Sequence, residues 1–163
     1  PQVLVDCVSE FADVQSGDHV LDLYGGVGLF ALQLHDAIGV GGRIDLVEGS
    51  KSATADAAVN FSGAENVKIY TGDVEKILPR FSRADVVILD PPRDGAKKNV
   101  IASLVACKPR AIVYVACDPA ALARDSALLR DANYTLEKVR AFDLFPMTHH
   151  IECVALFTPT AVS

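Results

Sequence analysis

The stretch VLDLYGGVGLFALQL, residues 20–34, decides the fold of this chain. An apolar run leads into a glycine-rich turn, and the turn opens a segment whose apolar residues recur at helical spacing. Residues 26–31, GVGLFA, satisfy G-x-G-x-x-A, a pattern that lets backbone approach a nucleotide-like ligand closely. The stretch therefore predicts a strand, a ligand-binding loop and a helix.

Short apolar runs alternate with helical patterns along the rest of the chain. Seven runs predict strands, at 19–24, 42–49, 66–73, 84–90, 111–117, 135–143 and 150–157. Segments between them predict helices, at 28–38, 50–63, 98–108 and 119–132. This rhythm predicts an α/β fold with a doubly wound, mostly parallel, Rossmann-like sheet. No helix separates the last two strands, so we expect an antiparallel last strand at the end of the sheet.

Composition limits the class of protein. The chain has 163 residues, half of them hydrophobic, which predicts one domain over residues 1–163. No apolar run approaches the roughly 18 residues of a membrane span, and the N-terminus lacks a signal pattern, so we expect a cytoplasmic protein. The chain opens on an uncapped helical pattern, from which we expect a fragment of a longer protein. Free thiols are predicted for the four scattered cysteines, Cys7, Cys107, Cys117 and Cys153.

Acidic residues around the glycine loop bear on the ligand. Glu48 ends the second strand about 20 residues on, where a carboxylate can hold ribose hydroxyls, and this suits NAD and S-adenosylmethionine equally. Asp22, just before the glycines, can accept from the ammonium of an amino-acid ligand and would repel a pyrophosphate. Asp73, at the tip of the third strand, can accept from an adenine amino group or cap the following helix. Together they favour S-adenosylmethionine.

The stretch LDPPRDG, residues 89–95, follows the fourth strand. Its consecutive prolines predict a rigid turn that holds Asp90 and Arg93 in defined directions beside the cleft. A plain strand-ending turn would explain the prolines but not the two charged residues.

Cys117 ends the fifth strand at the edge where such sheets bind ligands. Asp118 and Pro119 suit the N-cap and first position of the next helix. The positive end of that helix favours a thiolate, although Asp118 opposes the effect. Placement alone leaves open a reactive cysteine and a buried, inert one.

Five segments together resemble a known family: DLYGGVGLF, VEGS, DPPRDG, VYVACDPAALARD and FDLFPMTHHIECVALF. In this order and spacing they look like the catalytic domain of the S-adenosylmethionine-dependent RNA 5-methyluridine methyltransferases, which act on tRNA or 23S rRNA. The resemblance covers essentially the whole chain and implies the seven-stranded class I methyltransferase fold. It implies that Cys117 is the nucleophile and Glu152 the general base. Cofactor contacts are then expected from Asp22, Tyr24, Gly26, Gly28, Glu48, Asp73 and Asp90.

The chemistry of uracil supplies an independent reason for two catalytic groups. Carbon 5 is too weak a nucleophile to take a methyl group until a thiolate adds at carbon 6. A base must then remove the proton left on carbon 5. Strand alternation places Glu152 on one face with Val154 and Leu156, unusually apolar company for a charge. A buried, paired structural carboxylate is the alternative.

The resemblance also implies an RNA partner, with Arg93 and His150 shaping the substrate site. A net charge of −6 argues against an unaided grip on phosphates, so we expect another segment to supply the grip, such as the RNA-binding barrel that fuller family members carry. We expect a monomer that binds neither DNA nor membrane. His149 and His150 lack a third ligand at useful spacing, so no metal is predicted.

Several alternatives remain open. RNA 5-methylcytosine methyltransferases use the same addition but carry a second cysteine where this chain has Pro92. Amino-group methyltransferases carry an aromatic residue where this chain has Arg93. A non-catalytic, S-adenosylmethionine-binding fragment is a third possibility, and a dehydrogenase a fourth. Leu29 departs from the family, in which an Asn often contacts the cofactor at that position.

Overall fold

The computed structural model describes residues 2–144, 147–148 and 150–162. All seven predicted strands and all four predicted helices are present, and no helix within the described ranges is long and apolar enough to cross a membrane. The elements are α1 (Gln2–Ala12), β1 (His19–Leu23), α2 (Leu29–Ile38), β2 (Arg43–Glu48), α3 (Lys51–Asn60), β3 (Val67–Thr71), α4 (Val74–Ile77), a 3-10 turn (Leu78–Arg80), β4 (Val86–Leu89), α5 (Lys97–Ala106), β5 (Ala111–Ala116), α6 (Pro119–Asp131), β6 (Tyr134–Phe142) and β7 (Glu152–Pro159).

The seven strands form one sheet in the order β3-β2-β1-β4-β5-β7-β6. Strands β1 to β5 pair in parallel, whereas β7 is antiparallel to both of its neighbours, which confirms the predicted antiparallel last strand. The antiparallel pair of β7 and β6 lies at the end of the sheet as expected, with β6 at the edge and β7 between β5 and β6. After α6 the chain forms β6 one strand position away from β5, and β7 then pairs between β5 and β6.

Each face of the sheet carries its own layer of helices. Helices α1, α2 and α3 pack on what we call the first face, and α4, α5 and α6 on the second face. Successive residues of a strand alternate between these faces. In β1, for example, Val20 packs in the core of the first face, while Leu21 and Leu23 pack in the core of the second. Burying an aliphatic side chain of this size stabilises the fold by about 1.5–3 kcal/mol.

Candidate active site

The carboxyl ends of β1, β2, β4 and β5 lie side by side at one edge of the sheet, and β7 begins there because it runs in the opposite direction. The order of strands reverses between β1 and β4, which is where open α/β sheets bind their ligands. Five polar residues at this edge each lie two positions along the chain from a residue of the first-face core. Because side chains alternate along a strand, all five belong to the first face. They are Asp22, Glu48, Asp90, Cys117 and Glu152.

The glycine loop between β1 and α2 is shaped by close contacts. A Cβ atom at Gly28 would lie 2.5 Å from Cε2 of Phe61, and one at Gly25 would lie 2.7 Å from Cγ of Leu46. Gly28 also has a φ of +87°, which favours glycine. At Gly26, by contrast, an added Cβ would meet open space. The loop therefore packs down on the first face and leaves its outer side accessible to a ligand.

Glu48 fastens this loop to the end of β2. Its Oε2 accepts from the backbone N–H of Gly26 at 2.9 Å, and its Oε1 accepts from the backbone N–H of Ser50 at 2.8 Å. Each carboxylate oxygen has two lone pairs. Glu48 thus retains acceptor capacity for hydroxyl groups while it holds the loop.

Asp22 is a buried carboxylate directly beneath the loop, with 1% of its surface exposed. Among the described residues, neither of its oxygens has a hydrogen-bond partner of ordinary geometry. Burial raises the pKa of Asp22 to about 7; the N–H of Ala31 opposes this rise, and the charges of Asp90 and Glu48 add to it. A position for Cβ on Gly25 would lie 3.1 Å from its Cγ. Contact between Asp22 and the ammonium of an amino-acid ligand stays a prediction.

Asp90 lies between the glycine-loop part of the site, which includes Glu48, and the part that includes Glu152. Its side chain is exposed to solvent, yet desolvation by the surrounding protein raises its pKa to about 7. The charges of Glu152 and Glu48 contribute to that rise. Asp90 therefore interacts both with the carboxylate that holds the glycine loop and with the predicted general base.

Cys117 and Glu152 face each other across the antiparallel pair of β5 and β7. The ladder ends at Ala116 opposite Cys153, and the next pair in the same register is Cys117 and Glu152. Side chains directly opposite in such a pair have Cβ atoms about 4.5–5.5 Å apart. Both residues are half-buried. The register thus brings the two predicted catalytic residues together at the cleft.

The state of the Cys117 thiol differs from the sequence expectation. Asp118 caps α6 as predicted, accepting from the N–H of Ala120 at 3.0 Å. Burial and the charge of Glu152 nevertheless raise the pKa of Cys117, with a further rise from Asp90. The backbone N–H of Cys117 and the charge of Arg93 lower it only in part. Desolvation and the charge of Glu152 therefore disfavour the thiolate in the free protein, in the direction opposite to that expected from the end of the helix.

Glu152 shows the same influence of the surroundings. Burial raises the pKa of its carboxyl group, and the charge of His150 opposes the rise. The expected division of β7 is confirmed, since Val154 and Leu156 belong to the first-face core. A carboxyl group with a raised pKa is suited to exchanging protons near neutral pH.

Tyr24 and Asp73 lie at the side of the cleft nearer the second face. Tyr24 has a φ of +58°, which turns it out of β1 so that its ring packs against the second-face core. Burial raises the pKa of Tyr24 to about 12, and Asp73 is the first of the charges that add to it. Asp73 caps α4, accepting from the N–H of Glu75 at 3.0 Å. Contact between Asp73 and an adenine stays a prediction.

Arg93 and His150 are exposed beside the cleft. The N–H of His150 donates to Oγ1 of Thr148 at 3.4 Å. His149, like Phe145 and Pro146 of the same motif, lies outside the described residues. Within the described part of the chain, no group of three or more His, Cys, Asp or Glu side chains is arranged to hold a metal ion.

The sequence prediction missed Asp125, a charged residue of α6 with 4% of its surface exposed. It accepts hydrogen bonds from the backbone N–H groups of Ala96 and Lys97, where α5 begins directly after the turn that follows β4. A clue was present in the sequence, because Ala121 and Leu129 lie four residues to either side and would share its helix face. A lone carboxylate in an otherwise apolar helix stripe indicates a buried partner.

The strand order, the glycine loop and the acidic carboxyl edge define a class I methyltransferase fold. A sequence model described as tRNA (uracil-5-)-methyltransferase matches residues 75–159, more than half of the chain. The chain therefore belongs to that family.

Relatives extend well beyond the region they share with this chain. An uncharacterized RNA methyltransferase of Streptomyces avermitilis is 49% identical over 160 residues, covering 97% of this chain and 37% of the relative. A 23S rRNA (uracil(1939)-C(5))-methyltransferase of Shewanella sp. is 43% identical over 150 residues, covering 88% and 32%. The crystal structure of Pyrococcus abyssi tRNA (uracil-54, C5)-methyltransferase in complex with S-adenosyl-L-homocysteine matches with a TM-score of 0.79 at 30% identity, covering 96% and 37%. The chain spans about a third of the length of these relatives.

Proposed function

We propose that this chain carries the catalytic site of an S-adenosylmethionine-dependent RNA methyltransferase that acts on carbon 5 of a uridine in tRNA or 23S rRNA. The observation that carries the proposal is the register that sets Cys117 opposite Glu152 at the ligand-binding edge of the sheet. The named relatives act on uracil in these two kinds of RNA.

The residues around the glycine loop fit S-adenosylmethionine. Asp22 is an unpaired buried carboxylate, and such a group is matched by a cationic ligand. Glu48 has acceptor capacity for ribose hydroxyls, and the outer side of Gly26 is open. We propose that these residues hold the cofactor together with Tyr24, Gly28, Asp73 and Asp90. When bound, S-adenosylmethionine supplies an electrophilic methyl group on its sulfonium.

The reaction follows from the chemistry of the two facing side chains. The sulfur of Cys117, after loss of its proton, adds to carbon 6 of the pyrimidine, and the electron pair of the ring double bond makes carbon 5 nucleophilic toward the methyl group. Glu152 then takes the proton from carbon 5, the double bond re-forms and the carbon–sulfur bond breaks. The uridine must leave its stack to reach both groups.

The RNA is contacted at this site by exposed Arg93 and His150. Because the chain has a net charge of −6, its own surface provides little attraction for phosphates. We propose that another segment supplies most of the grip on the RNA.

The substitution Cys117→Ala tests the nucleophile. The chain, within a longer protein that includes the segment proposed to grip the RNA, is incubated with S-adenosylmethionine and RNA containing 5-fluorouridine. The fluorine cannot leave as a proton would, so a covalent complex accumulates. We expect the parent to form the complex and Cys117→Ala to lose it, together with all measurable methyl transfer. Cys7→Ala, which removes a buried thiol of α1, serves as the matched control and should retain both activities. A parent chain that binds S-adenosylmethionine but forms no complex would support the non-catalytic alternative.

The substitution Glu152→Gln tests the base. Methyl transfer to carbon 5 should still occur, but the proton would stay in place, so protein should accumulate on methylated RNA with ordinary uridine. The measurement is gel mobility combined with mass spectrometry of the adduct. Release of methylated RNA at the parental rate would remove Glu152 from this role.

A further inference from the structure

The turn after β4 is a compact structure that carries Arg93. The N–H of Gly95 donates to the carbonyl oxygen of Pro92 at 2.8 Å, which closes the turn with Arg93 and Asp94 at its tip. Gly95 has a φ of +87°, and Lys97, two residues on, has a φ of +72°. A lysine in this region of backbone space is strained, so its conformation requires support from the surrounding structure.

Asp125 provides that support. Its Oδ2 accepts from the backbone N–H of Ala96 at 2.8 Å and from the hydroxyl of Tyr114 at 2.5 Å. Its Oδ1 accepts from the backbone N–H of Lys97 at 3.3 Å. The carboxylate is almost fully buried, so these three donors take the place of water. Charge-assisted hydrogen bonds of this kind are roughly twice as strong as neutral ones.

The same carboxylate links the turn to both sides of Cys117. Tyr114 lies three residues before the cysteine in β5, and Asp125 lies two helical turns after it in α6. Because β4 and β5 are neighbouring parallel strands, the turn that carries Arg93 and the segment that carries Cys117 leave the sheet next to each other.

We infer that Asp125 is a positioning residue that holds the turn of residues 92–95, and with it Arg93, beside Cys117. The inference rests on the proposed function, because the position of Arg93 beside Cys117 matters for the reaction only if Cys117 is the nucleophile. The packing leaves little tolerance, because a Cβ atom at Gly95 would lie 2.8 Å from Oδ2 of Asp125.

The charges that face Cys117 make this placement measurable. Glu152 and Asp90 raise the pKa of the thiol, and Arg93 lowers it. If the turn moves away, the cation is lost while both carboxylates stay on the sheet. The pKa of Cys117 must then rise further, so the thiolate becomes scarcer at any pH below it.

The test compares Asp125→Asn and Gly95→Ala with the parent. Asp125→Asn removes the charge and keeps the shape, whereas Gly95→Ala leaves the carboxylate intact and displaces the turn from it. Asp131→Asn, an exposed position at the end of the same helix, is the matched control. The rate of iodoacetamide alkylation at Cys117 is measured by peptide mass spectrometry from about pH 7 to 11. Circular dichroism verifies that each variant is folded.

We expect the midpoint of the Cys117 alkylation profile to rise by about 0.5 pH unit in both variants, which slows alkylation about threefold at pH 8. Asp131→Asn should match the parent. A carboxylate with a structural role alone would lower stability and leave this profile unchanged.

An unchanged Cys117 profile in folded Asp125→Asn and Gly95→Ala would overturn the inference. Arg93→Gln decides the case if neither variant folds, because it removes the exposed cation directly and must raise the midpoint if the inference holds. Alkylation requires neither RNA nor S-adenosylmethionine, so failure of the methylation assays would count against the proposed function alone.

Discussion

Two buried aspartates on neighbouring strands, Asp22 and Asp45, have opposite surroundings. Asp22 lies near the carboxyl end of β1. Among the described residues neither of its oxygens has a hydrogen-bond partner of ordinary geometry, and the N–H of Ala31 lowers its pKa only in part. Asp45 lies in β2, opposite Leu21 in the register, and is completely buried. It accepts from Nε2 of His19 at 2.6 Å and from the hydroxyl of Tyr70 at 3.2 Å, and it pairs with Nε of Arg43 at 2.8 Å.

The pKa values of the two carboxyl groups follow these surroundings. Burial raises the pKa of both groups. At Asp22 burial is the largest cause, and together with the charges of Asp90 and Glu48 it brings the pKa to about 7. At Asp45 the hydrogen bond from His19 and the charge of Arg43 outweigh burial, so the pKa is lowered. A buried charge with a full set of partners serves the fold, whereas one left without partners indicates a binding site. The buried carboxylate paired with the first residues of β1 and β2 therefore stabilises the fold, whereas the one nearer the carboxyl ends of the strands indicates a ligand site.

The largest expected effect is a fall in the unfolding free energy with rising pH, because Asp22 must ionise while it is buried. Its pKa in the folded protein, about 7, lies above the ordinary value of 3.8. Between these values the unfolded chain has released a proton that the folded chain still holds. The contribution of Asp22 to the unfolding free energy therefore falls by about 4 kcal/mol as the pH rises from about 4 to 7.

Urea unfolding at pH 5 and pH 8 checks this expectation. Asp22→Asn should show a smaller fall in unfolding free energy between the two pH values than the parent does. The fall that remains includes the contribution of Asp90, whose pKa is also raised to about 7. Asp56→Asn, an exposed position in α3, should behave like the parent. Equal falls in parent and Asp22→Asn would remove the contrast between the two aspartates.

The second effect is the loss of stability when Asp45 is removed. Asp45→Ala leaves His19, Arg43 and Tyr70 without their shared acceptor, which should cost about 3 kcal/mol of unfolding free energy at pH 7. Because the pKa of Asp45 is lowered in the folded state, the difference from the parent should shrink as the pH falls through that lowered value. Affinity for S-adenosylmethionine should be unchanged.

Arg43→Ala provides a graded comparison, since this side chain is about half exposed and its removal should cost no more than about 1 kcal/mol. If Asp45→Ala loses no more unfolding free energy than Arg43→Ala, the contacts of Asp45 with His19, Arg43 and Tyr70 contribute little to the stability of the fold.

The smallest effect concerns Asp73, which lies at the carboxyl edge but already caps a helix. Serine is as good an N-cap as aspartate, but its shorter side chain does not extend as far toward a ligand. Asp73→Ser should leave the unfolding free energy unchanged and weaken S-adenosylmethionine binding about tenfold, or about 1.4 kcal/mol. Calorimetric titration measures the affinity. Unaltered binding would place Asp73 with Asp45, among carboxylates that serve only the fold.

Local patterns were sufficient to predict much of the molecule. The glycine loop, the alternation of strands and helices, and the cap of α6 by Asp118 depend on neighbouring residues. The pairing of Cys117 with Glu152 was implied by family resemblance, and the register brings the two together.

Features that depend on distant partners were not predictable from local sequence. The raised pKa of Cys117 depends on Glu152, a residue of another strand. The role of Asp125 depends on Tyr114 and on a turn formed by other residues. The position of β7 between β5 and β6 depends on the crossover of α6, which a local sequence pattern does not specify.

The register of β7 has a consequence for how this family can vary. Side chains alternate along a strand with a period of two, so a one-residue slip of β7 against β5 would carry Glu152 to the opposite face and away from the thiol. Amino-acid replacements along β7 would disturb packing gradually, whereas deletion of a single codon within it would separate Glu152 from Cys117 in one step. Evolutionary drift in β7 should therefore proceed by exchange of residues at constant length.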